Sequence, residues 1–388
     1  MTSPRRRKVL ILTSSTGGGH DMRARSLQAW ANAPLAADLR LDVEIFQTLE
    51  TVSPLYKFGV DTYNWIQLNA PWLHHVYFNF LEVAAMHRSA RAIAKTAAER
   101  FRAHLNDVRP DIIVSTHAHL NHGFFELARQ ALGADNVRCV TYCGEMFDGY
   151  GFCRHWANPA VDAFIGATPE CCRAARGHGV PADRTHLGGF MLDPAFWDAG
   201  DALDQARADA LPETFDPRGF TLVLSTGANS ANNHHLLIDA LERAGLRLQV
   251  VALCGRSVET FTALTERAKR PGPLALIPQP RLESRQMAGL LRCASVVLTR
   301  PGTGSTSEAI QVGCPLVHNG LGGVMPQEHL TLKYLRARGA ERLMRRPANL
   351  PKLVAPLQDP KALAAAREQT TALHPGGHPL DVLRLIAG

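Results

Sequence analysis

Two glycine-rich turns carry the side chains best suited to chemistry. The first, Thr13-Ser14-Ser15-Thr16-Gly17-Gly18-Gly19-His20, follows the apolar run Val9–Leu12 and leads into the helical stretch Asp21–Trp30. Three consecutive glycines permit a tight turn and let a ligand approach the backbone, while a helix start offers amide donors to negative charge. His20 enters the same crevice, where an imidazole can accept a hydroxyl proton near neutral pH. A helix-capping histidine beside a structural glycine turn explains the same residues. No Gly-Lys-Ser/Thr follows, and the spacing is not that of the dinucleotide fingerprint, so kinase and dehydrogenase readings lose ground.

The second turn follows the buried run Val296–Thr299 and reads Arg300-Pro301-Gly302-Thr303-Gly304-Ser305-Thr306-Ser307-Glu308. A Gly/Ser/Thr loop opening a helix can hold a diphosphate at the helix amino terminus, with Glu308 about one turn in and able to accept hydrogen bonds from ribose hydroxyls. Further on, Gly320-Leu321-Gly322-Gly323-Val324-Met325-Pro326-Gln327-Glu328 ends another strand. Gln327 and Glu328 can bind sugar hydroxyls; a solvated turn before a Glu328–Arg338 helix is the plainer alternative.

The elements that position these turns alternate between short β-rich runs and helical patterns, the signature of parallel βαβ units. Strands are expected at Val9–Thr13, Leu41–Phe46, Ile112–Ser115, Val137–Thr141 and Ala163–Gly166, with a surface helix over Ser89–Asn106. A second series runs Phe220–Ser225, Leu248–Leu253, Leu274–Ile277, Val296–Thr299 and Pro315–Asn319. Between them Asp193–Gly219 is rich in Ala, Asp and Pro, which predicts a boundary between a domain over 1–200 and another over 215–388. The length of 388 residues also favours two domains. Ligands of doubly wound sheets bind at the carboxyl ends of the strands, which points to chemistry in the cleft between the domains.

Composition narrows the class. With 46% hydrophobic and 20% charged residues the chain is an ordinary globular one, and no apolar run approaches the ~18 residues of a membrane span. The basic start, Met1–Lys8, precedes an apolar run too short for a signal peptide. Eight scattered cysteines predict reduced thiols and no disulfide. A net charge of +7 permits attraction to phosphates, but no nucleic-acid recognition module is present.

Taken together, Gly17-Gly18-Gly19-His20, the Arg300–Ala309 loop and helix, and Pro326-Gln327-Glu328 resemble the monogalactosyldiacylglycerol synthase and processive diacylglycerol glucosyltransferase family. That family is related to the bacterial enzyme that adds N-acetylglucosamine to the peptidoglycan lipid intermediate. Arg281–Leu291 resembles the linker and Met-containing helix before the donor loop. His155-Trp156, Val161-Asp162, Glu170, Gly188-Gly189-Phe190-Met191 and Phe196 are similar to the end of the first domain.

The resemblance implies an α/β GT-B architecture, two Rossmann-like domains with parallel sheets facing across a cleft. It implies inverting, metal-independent transfer of a hexose from a UDP-sugar to a lipid, with diacylglycerol the expected acceptor. No cofactor is expected beyond the donor substrate. The implied catalytic residues are His20 and Glu145. On the donor side stand Gly227, Asn229, Leu282, Arg300, Gly302, Thr303, Gly304, Ser305, Thr306, Glu308, Gln327 and Glu328. On the acceptor side stand Gly17, Gly18, Gly19, Trp65, His117 and His155.

Three departures from the family pattern stand out. Thr141-Tyr142-Cys143-Gly144-Glu145 lacks the family's Thr-Asp pair, so the base is either Glu145 or His20. Ser225-Thr226-Gly227-Ala228-Asn229-Ser230 has fewer glycines than usual, and Pro326 replaces a glycine. A UDP-sugar epimerase, a glycosyltransferase acting on another acceptor and an inactive nucleotide-sugar-binding protein stay open as alternatives.

Between Ser53 and Ala84 lie Tyr56, Phe58, Tyr63, Trp65, Trp72, Tyr77, Phe78 and Phe80, with Lys57, His74 and His75 among them. Such a segment suits the lipid–water boundary, and residues 51–86 are the expected contact with an anionic membrane surface, on the cytoplasmic face. An aromatic core of a helical subdomain is the alternative. His117, His119 and His122, with Cys139, Cys143, Cys153 and His155 nearby, fit no zinc spacing and read as loop histidines and buried thiols, one or more of them lining the acceptor cleft. No metal ligand is assigned.

Overall fold

A computed structural model describes residues 5–70, 73–83, 90–225 and 233–388. The chain divides into two units, one of Met1–Asp193, Met325–Leu330 and Pro375–Gly388, the other of Pro194–Val324 and Thr331–His374.

The first unit contains a 6-stranded parallel sheet of β1 (Arg7–Thr13), β2 (Leu41–Gln47), β3 (Ile112–Ser115), β4 (Arg138–Cys143), β5 (Ala163–Gly166) and β6 (Thr185–Leu187), in the order β2-β1-β3-β4-β5-β6. Central strands are covered on both faces and so read as continuous apolar runs: β3 and β5 are buried throughout. At the edge, β2 keeps the exposed Asp42 and Glu44. Its neighbour β1 connects to β2 on one side, while β3 connects to β4 on the other. The chain therefore reverses its winding between β1 and β3, where doubly wound sheets open a ligand crevice.

In the second unit β7 (Thr221–Ser225), β8 (Leu248–Leu253), β9 (Leu274–Gln279), β10 (Val296–Thr299), β11 (Leu316–Asn319) and β12 (Leu343–Met344) form a parallel sheet in the order β12-β11-β10-β7-β8-β9. Here the winding reverses between β7 and β10. The turns that follow these two strands are the ones expected to hold the donor.

The carboxyl-terminal residues correct the expected 215–388 domain. The Pro379–Ala387 helix buries Val382, Leu383 and Ile386 and is tied to the first unit by Arg7 Nη1 to Ala387 O at 2.6 Å and Arg138 Nη2 to Leu385 O at 3.1 Å. Each such apolar side chain contributes roughly 1.5–3 kcal/mol when buried, enough to hold the helix on the first sheet. Its path depends on Gly189 (φ 76°), where a Cβ would stand 2.2 Å from Gly376 O. The helix expected over Ser89–Asn106 runs Lys95–Val108, preceded by a 3-10 turn at Ala90–Ala92.

Candidate functional site

The glycine turn after β1 is held from below by Glu50, whose Oε1 accepts from Ser14 Oγ (3.0 Å), Ser15 N (2.7 Å) and Ser15 Oγ (2.8 Å). Gly17 N donates to Asn64 Oδ1 at 3.2 Å, so one amide of the turn is already engaged. Gly17 and Gly18 have φ of 66° and 78°, the left-handed region that side chains disfavour. Gly18 then caps the Gly19–Ala31 helix, which places His20 in its first turn.

His20 Nδ1 lies 2.7 Å from Thr116 O. A carbonyl can only accept, so Nδ1 carries the proton and Nε2 keeps the lone pair. Burial, then the nearby Arg23 charge, lowers the His20 pKa to about 3. The ring stands 4.4 Å from His117 and 5.8 Å from Trp156, between centroids. His117 accepts at Nδ1 from His119 N (3.2 Å), which leaves Nε2–H to donate to Thr16 Oγ1 at 3.0 Å.

Glu145, two residues beyond β4, is buried and hydrogen-bonded to Trp156, and burial raises its pKa to about 7 against the lowering pull of Arg23. Its Oε2 has no hydrogen-bond partner among the described residues. Arg23 itself is buried and donates from Nη2 to Gly144 O at 3.1 Å. Trp156 and Arg23 thus join His20 and Glu145 into one pocket at the β1/β3 reversal. Tyr63 belongs to it as well: burial and the Glu328 and Glu145 charges raise its pKa, and it accepts from Gln327 Nε2 at 2.5 Å.

Gln327 and Glu328 lie within the first unit. Glu328 Oε2 accepts from Met325 N at 2.9 Å, a self-capping contact at the start of the Pro326–Arg336 helix. Trp65 is 57% exposed on the Pro54–Asn69 helix, whereas its neighbour Asn64 bonds the glycine turn and Tyr63 and Gln67 lie beside Gly17. His155 is buried with its ring against His119 (5.0 Å) and His122 (6.2 Å).

On the second unit Gly302 is the N-cap of the Thr303–Gln311 helix and supplies no side-chain cap. Amides of a first helical turn lack i−4 partners within the helix, and such a turn following a strand is a place where an anion can bind. Thr306 Oγ1 is 3.0 Å from His318 Nε2. Arg300 donates to Leu321 O and Gly323 O, each at 2.9 Å, and so clasps the neighbouring loop. Glu308 is half-buried. Leu282 is half-buried just before the capping box of the Ser284–Cys293 helix. Gly227 and Asn229 lie outside the described residues.

Sequence reasoning missed Arg23, Glu50, Tyr63, Asn64 and Trp156 as members of the site. Tyr63 and Trp156 stood within noted segments, but nothing local marks an arginine or a glutamate on separate helices as partners of a turn.

Known proteins share this architecture. A solved structure of MurG from Acinetobacter baumannii is 14% identical, covers 98% of this chain and 99% of its own, and has a TM-score of 0.59. The protein therefore has the two-domain α/β GT-B fold. The family model of monogalactosyldiacylglycerol (MGDG) synthase matches residues 20–190, and the chain is similar to monogalactosyldiacylglycerol synthases and a processive diacylglycerol glucosyltransferase. Monogalactosyldiacylglycerol synthase 1 of Arabidopsis thaliana is 22% identical over 90% of this chain and 64% of its own length. Processive diacylglycerol beta-glucosyltransferase of Staphylococcus carnosus is 25% identical over 57% of this chain and 54% of its own. The matches thus span less than two thirds of these two relatives.

Proposed function

We propose that the protein is an inverting glycosyltransferase that moves a hexose from a UDP-sugar to the hydroxyl of diacylglycerol at a membrane surface. The observation that carries this reading is Glu145: a buried carboxylate near pKa 7 with an unengaged oxygen, in the pocket of a histidine whose tautomer is set. A base poised near the working pH is what an attacking alcohol requires. The hydroxyl's one proton points to His20 Nε2 as the acceptor docks, then turns to Glu145, which takes it up as the oxygen bonds to the sugar carbon and UDP leaves.

The amino-terminal turn of the Thr303–Gln311 helix neutralises the departing diphosphate through backbone amides, so transfer needs no metal. Glu308 binds ribose. The acceptor class follows the names of the two relatives, which share diacylglycerol and differ in sugar. An exposed apolar stripe supports a lipid acceptor: Leu55, Phe58 and Trp65 share one face of the Pro54–Asn69 helix, and Val76 and Phe80 stand exposed on the His74–Val83 helix. No helix among the described residues is long and apolar enough to cross a membrane, which fits docking from one side. The eight free thiols favour the reducing, cytoplasmic side.

The test incubates the protein with UDP-glucose, UDP-galactose or UDP-N-acetylglucosamine and diacylglycerol vesicles, and identifies products by mass spectrometry. A hexosyl-diacylglycerol of inverted anomeric configuration is expected. An interconverted UDP-sugar with unchanged diacylglycerol would instead mean epimerisation.

A further inference from the structure

We propose that His119, Cys153 and His155 form a binding site for a zinc-type divalent cation. One donor atom from each residue lies within 4.8 Å of the other two. In sequence these residues belong to separate loops and match no zinc spacing. Folding brings the 3-10 turn Ala118–Leu120 against the 3-10 turn Arg154–Trp156, and each turn contributes to the triad.

The two turns are locked together by one side chain. Asn121 Nδ2 donates to His117 O (3.2 Å), Ala118 O (3.0 Å) and His155 O (3.1 Å). Its Oδ1 accepts from Thr141 Oγ1 at 2.7 Å, and its backbone oxygen accepts from Asn158 Nδ2 at 2.5 Å. A buried amide that fixes both ligand-bearing turns is the support from beyond the ligands that metal sites use to hold their geometry.

Two imidazoles and a thiol make a nitrogen–sulfur donor set of the kind zinc prefers and magnesium or calcium does not. Three protein ligands leave the fourth tetrahedral position open. Glu82, which bears electrostatically on Cys153 and pairs with Arg154 at 3.5 Å, is a candidate to fill it.

The site adjoins the groups assigned to proton transfer, His119 bearing electrostatically on His20 and Glu145 on Cys153, but the inference does not depend on that assignment. Its consequence reaches them all the same. His117 lies two residues before His119, and Trp156 follows His155; these neighbours hold Thr16 and Glu145. The bound ion is therefore a clamp that positions His117 and Trp156.

The test strips the full-length protein with a chelator and titrates it with Co(II), then Zn(II). One equivalent of Co(II) should bind with a thiolate charge-transfer band in the near ultraviolet and the strong visible bands of four-coordinate cobalt, both erased by zinc. Cys153→Ser should remove the near-ultraviolet band, and His119→Gln should weaken binding by at least about tenfold, with circular dichroism unchanged. Weak six-coordinate cobalt spectra, or a thiolate band that survives Cys153→Ser, would overturn the site. Should Cys153→Ser fail to fold, X-ray absorption on the zinc-loaded wild type decides. One sulfur at ~2.3 Å with nitrogen or oxygen neighbours is expected, and a shell without sulfur refutes the assignment.

Discussion

The carbonyl oxygen of Thr116 accepts a hydrogen bond from His20 Nδ1 at 2.7 Å. This bond sets the imidazole tautomer, and with burial holding the pKa near 3, His20 stays neutral throughout the working pH range. It is a fixed acceptor rather than a titrating base.

His20→Ala should lower kcat by at least about 10²-fold and leave UDP affinity unchanged, measured by steady-state kinetics and calorimetry. Stability carries a matching signature. Because the folded pKa lies below the ordinary 6.5, only the unfolded chain takes up this proton as pH falls from 6.5 towards 3, and stability is lost across that window. His20→Gln should remove its share of the slope in urea titrations.

Glu145 acts in the opposite sense. Its folded pKa, about 7, exceeds the ordinary 4.5, so the folded chain holds the proton longer and stability declines as pH rises from 4.5 through 7. Glu145→Gln should be more stable than wild type at pH 8, by up to roughly 3 kcal/mol, yet nearly inactive. Wild-type kcat should show an acid limb near pH 7 that Arg23→Gln moves upward, since the Arg23 charge lowers the Glu145 pKa.

Thr303→Pro tests the proposed diphosphate site with little harm to the fold. Proline suits the first helical position, and Gly302 at φ −72°, ψ 143° already has the conformation required before it. The change deletes one amide donor, so UDP binding should weaken roughly 10–100-fold with the melting temperature nearly constant.

Phe58→Ala with Trp65→Ala removes two exposed side chains and should reduce partition onto diacylglycerol-containing vesicles about tenfold or more, read by co-sedimentation. Thermal stability should not fall.

Ten of the twelve strands among the described residues were legible as apolar runs between turn residues. The two that were not, Thr185–Leu187 and Leu343–Met344, are sheet-edge strands of three and two residues, too short to show a period. The Pro379–Ala387 helix announces its apolar face, but periodicity does not say which sheet that face will cover. At the site, His20 and the helix opening at Thr303 were visible because glycine turns mark them. Arg23, Tyr63 and the His119–Cys153–His155 triad were not, because their meaning arises only when loops distant in sequence meet.

The most direct test of the account compares wild type, His20→Ala and Glu145→Gln for UDP release from each UDP-hexose, with and without diacylglycerol vesicles, alongside UDP binding to all three. The account predicts vesicle-dependent release by the wild type, loss of release in both variants, and equal UDP affinity. Release that ignores the vesicles, or survives in Glu145→Gln, would contradict it.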